Sequence, residues 1–424
     1  MQQPGLFHGE HVPARLRYQR LFEYLPVMEH EYPFGRPGID PNVMLRTFIY
    51  GCLRRLPTLS DLNYSLRENP SLCEAVGFDP FAPPPSIERF SCWLRSTPNE
   101  TLQSVRFALV RKLIGKGAVS GRIVAFDSTA ILSPVKENNL KTAVADRFNK
   151  YRYPKTDPEA RLGVYRCYMA SKTQKIRYFW GYRNHTLADF ESELPLWEET
   201  HPANYHETRC AIPLLEACYQ NLHLPIDVVL GDSGYDAEKI HAYIIEQLKA
   251  RPVIASNSRY QPNPDFHVQG KTVLCPAGLP MVHKGRMTPK RTGITYTQYA
   301  CPLHYNKTLR QKYLLCPADH PKFLSQKGCN YLMRHAPSYR SQIPYGSSEF
   351  AAYYKKRTSV ERTFARLLSI TMQEPSVRGL QSTCNHCTVA HIAVLLVATA
   401  AHETGHPDKA AFVRTFVPNF MAQS

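Results

Sequence analysis

Two short apolar runs, Ile123-Val124-Ala125-Phe126 and Val228-Val229-Leu230-Gly231, each end on an aspartate, Asp127 and Asp232. Four consecutive apolar residues bounded by turn formers read as strands covered on both faces, which requires a sheet with helices packed over it. A carboxylate just past such a strand lies at the open edge of the sheet. The surrounding pattern agrees: RIVAFDSTAIL, GVYRCYMAS and RYFWGYRNHTL predict three strands, IPLLEACYQNL a helix, IDVVLGDSGYD a strand, AEKIHAYIIEQL a helix and RPVIASN a further strand. That order is α/β.

The flanks differ in character. Between about Tyr18 and Gly117, MLRTFIYGCLRRL and LQSVRFALVRKLI repeat apolar residues at helical spacing, and Ser86 follows a proline-rich turn as a cap for the next helix. Residues 1–118 therefore predict an all-α N-terminal domain for DNA binding or assembly, with Arg54, Arg55, Arg89 and Arg95 at helix ends or faces and no close helix-turn-helix pattern. Residues 119–260 hold the α/β pattern, and 261–345 turn proline-rich with short β-like pieces such as GITYTQYAC, which marks an insertion. From 346 to 424 helical periodicity returns, with Phe350, Tyr354, Val360, Phe364 and Leu367 on one inward stripe.

Charge separates the segments further. The chain carries 52 basic and 35 acidic side chains, a net +17 that favours a polyanionic partner. Residues 261–345 hold 12 of the basic residues against only Asp265 and Asp319. A solvated face usually mixes both signs, so this stretch, with Lys290 and Arg291 near its middle, reads as a phosphate-binding surface. No uninterrupted apolar run approaches the ~20 residues of a membrane span, which argues against an integral membrane protein. The N-terminus shows no charged-then-apolar leader, so a reducing, cytoplasmic setting is expected, with free thiols or metal ligands for the 12 cysteines.

Cys275, Cys301, Cys316 and Cys329 fall inside the insertion, three of them as Cys-Pro. Zinc ribbons usually show two Cys-x2-Cys knuckles, whereas here only Cys301-Pro-Leu-His304 has that spacing. Ordinary buried thiols are the expected reading, and a structural Zn²⁺ drawn from Cys275, Cys301, His304, Cys316 and Cys329 is the alternative. Cys384 and Cys387 run into TVAHIAVLLVATAA and are read as residues of a buried helix.

Two acids at the ends of neighbouring strands repel each other unless a hard divalent cation neutralises both, although either alone could simply begin a turn. A third acid decides the matter. Beyond the insertion and before residue 400 only Glu349, Glu361 and Glu374 are available. Tyr354, Arg357 and Glu361 are three and four residues apart, which sets them on one helical face; the bland alternative is an Arg357–Glu361 surface ion pair.

These residues resemble the DDE transposases of bacterial insertion sequences, in particular those whose last acid lies in Tyr-x2-Arg-x3-Glu-x6-Lys. Tyr354, Arg357 and Glu361 match the first three elements, while Leu368 stands at the lysine position. AFDST and GDSGYD resemble the family's two aspartate motifs, and the helical N-terminal segment resembles the domain preceding its core. The resemblance implies a ribonuclease-H-like core split by the insertion. It also implies Mg²⁺ or Mn²⁺, two ions, held by Asp127, Asp232 and Glu361 for cleavage and strand transfer on double-stranded DNA at transposon ends and target, by a homodimer. A nuclease without strand transfer and a non-catalytic DNA-binding repressor are the alternatives, the acid triad counting against the second.

Overall fold

The computed structural model describes residues 13–29, 38–168, 174–257, 265–270, 272–290, 293–321, 323–324 and 328–419. The chain forms two compact units: residues 1–255 with 348–424, and the intervening Ser256–Ser347.

Among the described residues the first unit begins with six helices: α1 (Ala14–Phe22), α2 (Pro41–Arg54), α3 (Leu59–Glu68), α4 (Pro70–Val76), α5 (Ile87–Ser96) and α6 (Asn99–Gly115). Their ends follow local chemistry. Asp40 caps α2 through the Asn42 amide, Thr58 and Asp61 form a reciprocal capping box on α3, and the Ser86 side chain accepts from the Arg89 amide at α5. The strands are β1 (Ile123–Leu132), β2 (Arg161–Tyr168), β3 (Gln174–Asp189) and β4 (Pro195–Pro202); then come α7 (Glu207–Leu222), β5 (Val228–Gly231), α8 (Glu238–Glu246) and β6 (Arg251–Ile254). They make one sheet in the order β2-β3-β1-β5-β6, with β4 paired to β3. β1 runs antiparallel to β3 and parallel to β5, and β5 parallel to β6.

β4 has no counterpart in the strand pattern. Its segment PLWEETHP has two prolines and two glutamates, so neither β-propensity nor alternation marks it. The strand forms because Glu198 is buried among donors, accepting from Gln103 Nε2, Asn184 Nδ2 and Thr388 Oγ1.

After the second unit the chain returns as α11 (Ser348–Lys355), α12 (Thr358–Leu368), α13 (Leu380–Glu403) and α14 (Phe416–Asn419). The inward stripe is present, with Val360 and Leu367 fully buried and Phe350 and Tyr354 packed against the core. However, the single helix expected across it is two. The amides of Lys356 and Arg357 bond three residues back, to Tyr353 and Tyr354, and the tightened turn ends α11 before α12 starts.

α13 is the hub. It is long and apolar enough to cross a membrane, yet 89% of its most apolar window is buried inside the protein. Its neighbours include α2, α5, α6 and β4. The N-terminal helices therefore share one continuous core with the sheet.

The second unit contains β7 (His267–Gln269), β8 (Thr272–Leu274), β9 (Val282–Met287), β10 (Tyr296–Ala300), α9 (Pro302–Tyr305), α10 (Lys307–Lys312) and β11 (Asn330–Arg334). β7 and β8 form a hairpin, and β11-β10-β9 a three-stranded antiparallel sheet. Its core is small: among the described residues, Val273, Cys275, Met281, Tyr299, Cys301, Leu303 and Cys329.

Candidate active site

The parallel pairing of β1 with β5 brings Asp127 and Asp232 together. Asp127 sits within β1, opposite Thr186 of β3, and accepts the Ser128 amide at 2.7 Å. Asp232 leaves the end of β5 and accepts the Gly234 amide at 2.8 Å, closing a tight turn. Glycine is needed twice here. A Cβ on Gly231 would lie 2.6 Å from the Phe126 ring, and one on Gly234 would lie 2.4 Å from Glu207 Oε2 and 3.0 Å from Asp232 Oδ1. The Gly-Asp-Ser-Gly run is thus the shape that lets β5 pass Phe126 and lets two carboxylates approach each other.

Arg357, in the turn between α11 and α12, joins the third acid to the first. Its Nη1 donates to Asp127 Oδ2 at 3.2 Å and its Nη2 to Glu361 Oε1 at 2.6 Å. Its guanidinium carbon stands 5.8 Å from the centre of the Tyr354 ring, which in turn stacks on Phe350. Tyr354, Arg357 and Glu361 therefore meet despite the break in the helix. Asp127, Asp232 and Glu361 do not close to mutual ligation distance among the described residues; Arg357 lies between the first and the third.

Glu207 is the acid that sequence reasoning missed. It opens α7 and receives hydrogen bonds from Ser128 Oγ at 3.0 Å and Arg183 Nη1 at 3.2 Å. An acid in the first turn of a helix is favoured by the helix dipole anyway, so its pattern carried no distinguishing signal.

The electrostatics follow from this crowding. Burial, then Asp232, push the Asp127 carboxyl up to about 7, with Glu207 adding to the rise. Burial and Glu207 raise Asp232 as well. Burial alone would lower the Arg357 guanidinium, but Asp127 and Glu361 hold it above its ordinary value.

A neighbouring group on β4 and α7 has its ligand atoms mutually within 4.8 Å: Glu199, His201 and Cys210. His201 Nε2 is 3.0 Å from Glu199 Oε2, and the Cys210 thiol donates to the same oxygen at 3.7 Å.

A family model for the transposase DDE domain matches residues 121–397, and one for a transposase domain (DUF772) matches residues 8–96. The chain belongs to the DDE transposases. These enzymes cleave DNA and transfer strands, and they use divalent metal ions. Among solved structures the transposase is similar to a piggyBac transposase synaptic complex with hairpin DNA, at 11% identity and a TM-score of 0.40, over 100% of this chain and 84% of that one. No curated protein matches it.

Of the remaining residues singled out from sequence, Lys290 is exposed in the turn after β9, whereas Arg291 lies outside the described residues. Glu349, the alternative third acid, pairs with Arg251. Cys275, Cys301, Cys316 and Cys329 come together in the second unit, and His304 packs on Phe323 with ring centres 4.8 Å apart.

Proposed function

We propose that the transposase binds the ends of its own insertion sequence and carries out cleavage and strand transfer with Asp127, Asp232 and Glu361 as the acids that hold Mg²⁺ or Mn²⁺, two ions, on a ribonuclease-H-like core. The observation that carries this reading is Arg357, which ties Asp127, within the central strand β1, to Glu361 beside Asp232 at the end of β5. An antiparallel β2-β3-β1 half continued by parallel β5 and β6, interrupted after β6 by a separate unit, supports the core assignment.

The donor set suits a hard cation. Three carboxylates, Asp127, Asp232 and Glu207, crowd one another, and the first two are raised, by burial first and by a neighbouring acid next. Bound divalent ions supply charge neutralisation and an activated oxygen nucleophile for in-line attack on a phosphodiester. The protein's own groups do the rest. Asp127 and Asp232 are held by backbone amides, so their oxygens are oriented before substrate arrives. Arg357 offers the planar, bidentate donor geometry that suits a phosphate, and Tyr354 offers a ring and a hydroxyl beside it. The segment 261–345, Lys290 and Arg291 included, binds phosphates along the duplex without reading bases. Two transposon ends call for two copies of the chain, hence a homodimer on DNA.

The test is end cleavage by purified Asp127→Asn, Asp232→Asn and Glu361→Gln proteins on a duplex carrying the element's terminal repeat, with Mg²⁺. Each is expected to bind the duplex and fail to nick it. Near wild-type nicking by Glu361→Gln removes Glu361 and makes Glu349 the next acid to replace. Nicking with no joined product would favour a nuclease over a transposase.

A further inference from the structure

We infer that the second unit is organised around a structural zinc ion held by four thiolates, those of Cys275, Cys301, Cys316 and Cys329. All four line a single cavity of about 350 Å³. They arrive from four separate places in the unit: the turn after β8, the end of β10, the loop after α10 and the residue before β11. The thiol of Cys329 lies within hydrogen-bonding reach of Cys301 and neighbours Cys275 and Cys316. All four thiols are free, and only Cys316 is less than fully buried.

The backbone presents three of them in the same way. In Cys275-Pro-Ala-Gly278, Cys301-Pro-Leu-His304 and Cys316-Pro-Ala-Asp319, the amide of the fourth residue donates to the cysteine carbonyl, at 2.8, 3.2 and 3.0 Å. Gly278 and Asp319 both adopt positive φ, 72° and 45°, so two of the turns match closely. Three Cys-Pro turns converging on one cavity have no purpose as ordinary core packing, where a thiol is merely a small apolar group. The fourth cysteine is admitted by Gly328. A Cβ there would fall 2.2 Å from Cys301 Cβ and 2.6 Å from its sulfur, so only glycine lets the approach to β11 pass this close.

His320 and Asp265 also line the cavity, but the four cysteines alone complete a soft, tetrahedral donor set, which selects zinc, with an iron–sulfur centre as the chemical rival. A unit with so few apolar core residues, three of them these cysteines, also needs a staple besides hydrophobic burial. The sulfurs ring the cavity without any three lying mutually within 4.8 Å, so metal binding would draw the ring inward. His304 does not line the cavity and is assigned no ligand role.

The test uses the full-length chain expressed with zinc and measures bound metal by mass spectrometry. Stoichiometric zinc is expected. Cys301→Ser and Cys329→Ser should lose it, while His304→Ala, Cys92→Ser and His201→Ala should keep it. Should the serine variants misfold, Cys316→His decides: a zinc ligand is conserved there, so zinc should be retained, and cobalt substitution should show a tetrahedral spectrum that changes on going from four thiolates to three. Folded, metal-free protein with four titratable thiols in this unit would overturn the inference. Bound iron would overturn zinc, and loss of zinc from His201→Ala alone would move the metal to the Glu199–His201–Cys210 group.

Discussion

Replacing Asp127 by asparagine should abolish cleavage and at the same time make the metal-free protein more stable. The carboxyl is raised from 3.8 to about 7 in the fold, burial being the chief cause and Asp232 the next. A raised acid pKa means the folded state holds the proton more tightly than the unfolded chain does. The stability that this proton contributes is therefore fully present below the unfolded value, declines as pH climbs, and is lost above about 7. At roughly 1.4 kcal/mol per pH unit, a rise of some three units makes the ionised group cost about 4 kcal/mol at pH 8. Asparagine keeps the shape and removes that cost. The attraction of Arg357 is already contained in that raised value, so the net gain is of the same size, about 4 kcal/mol at pH 8. Thermal unfolding in EDTA at pH 8 should show the variant melting several degrees above wild type, with the gap less than half as large at pH 5. Mg²⁺ should raise the wild-type midpoint and leave the variant nearly unmoved. If the variant is no more stable than wild type at pH 8 in EDTA, Asp127 carries no unneutralised charge, and the case for a cation at that position fails.

Arg357→Ala should reduce end cleavage by far more than tenfold at saturating DNA, read by single-turnover kinetics; a rate within a factor of two of wild type would leave only an ion-pairing role. Gly234→Ala should push Glu207 away from Asp232 and lower cleavage with little change in melting temperature, since no positive φ is involved there. Lys290→Glu combined with Arg291→Glu should weaken binding to all DNA sequences alike and flatten its salt dependence, measured by titration at several salt concentrations. Glu198→Ala should cost roughly 3 to 5 kcal/mol in chemical denaturation, because it strips the acceptor from three buried donors and leaves Arg106 buried without its counter-charge.

Part of the sheet was legible because two of its strands open on apolar runs, although β5 ends at its aspartate while β1 runs on through Asp127 to Leu132. IVAF and VVLG announce β1 and β5, and the aspartates that follow them need no tertiary information to be noticed. β4 was not legible, since its stability lies in partners 95 and 190 residues away in the chain, Gln103 and Thr388. The same limit hid Glu207, whose approach to Asp232 depends on the missing side chain of Gly234. The triad of Tyr354, Arg357 and Glu361 was legible as a spacing, and the contacts among these residues exist. The continuous helix assumed behind that spacing does not, because the tightened turn at Lys356 and Arg357 leaves no trace in the apolar stripe. The cysteines show the converse. Their separations match no simple knuckle pattern, and only the three-dimensional turns bring them to one cavity.

Two sets of buried acids in the first unit explain why one reads as architecture and the other as chemistry. Glu198 lies under the same raising influence of burial as Asp127, but the buried Arg106 offsets its charge and three neutral side chains from α6, β3 and α13 donate to it. Every lone pair that matters is answered by a fixed side chain, so nothing further needs to bind. At Asp127 and Asp232 the donors are mostly local amides, those of Ser128 and Gly234, and the surrounding groups are further acids. Among the described residues, Arg357 and Arg183 bring positive charge to these acids, and each is divided between partners: Arg357 between Asp127 and Glu361, Arg183 between Glu207, Ser128 and the Val164 carbonyl. Negative charge left over after such sharing is tolerable only in a site that acquires positive charge from outside. A protein that gained nothing from those carboxylates would be more stable with asparagine or glutamine in their place, which is why the stability of Asp127→Asn tests function as directly as its activity does.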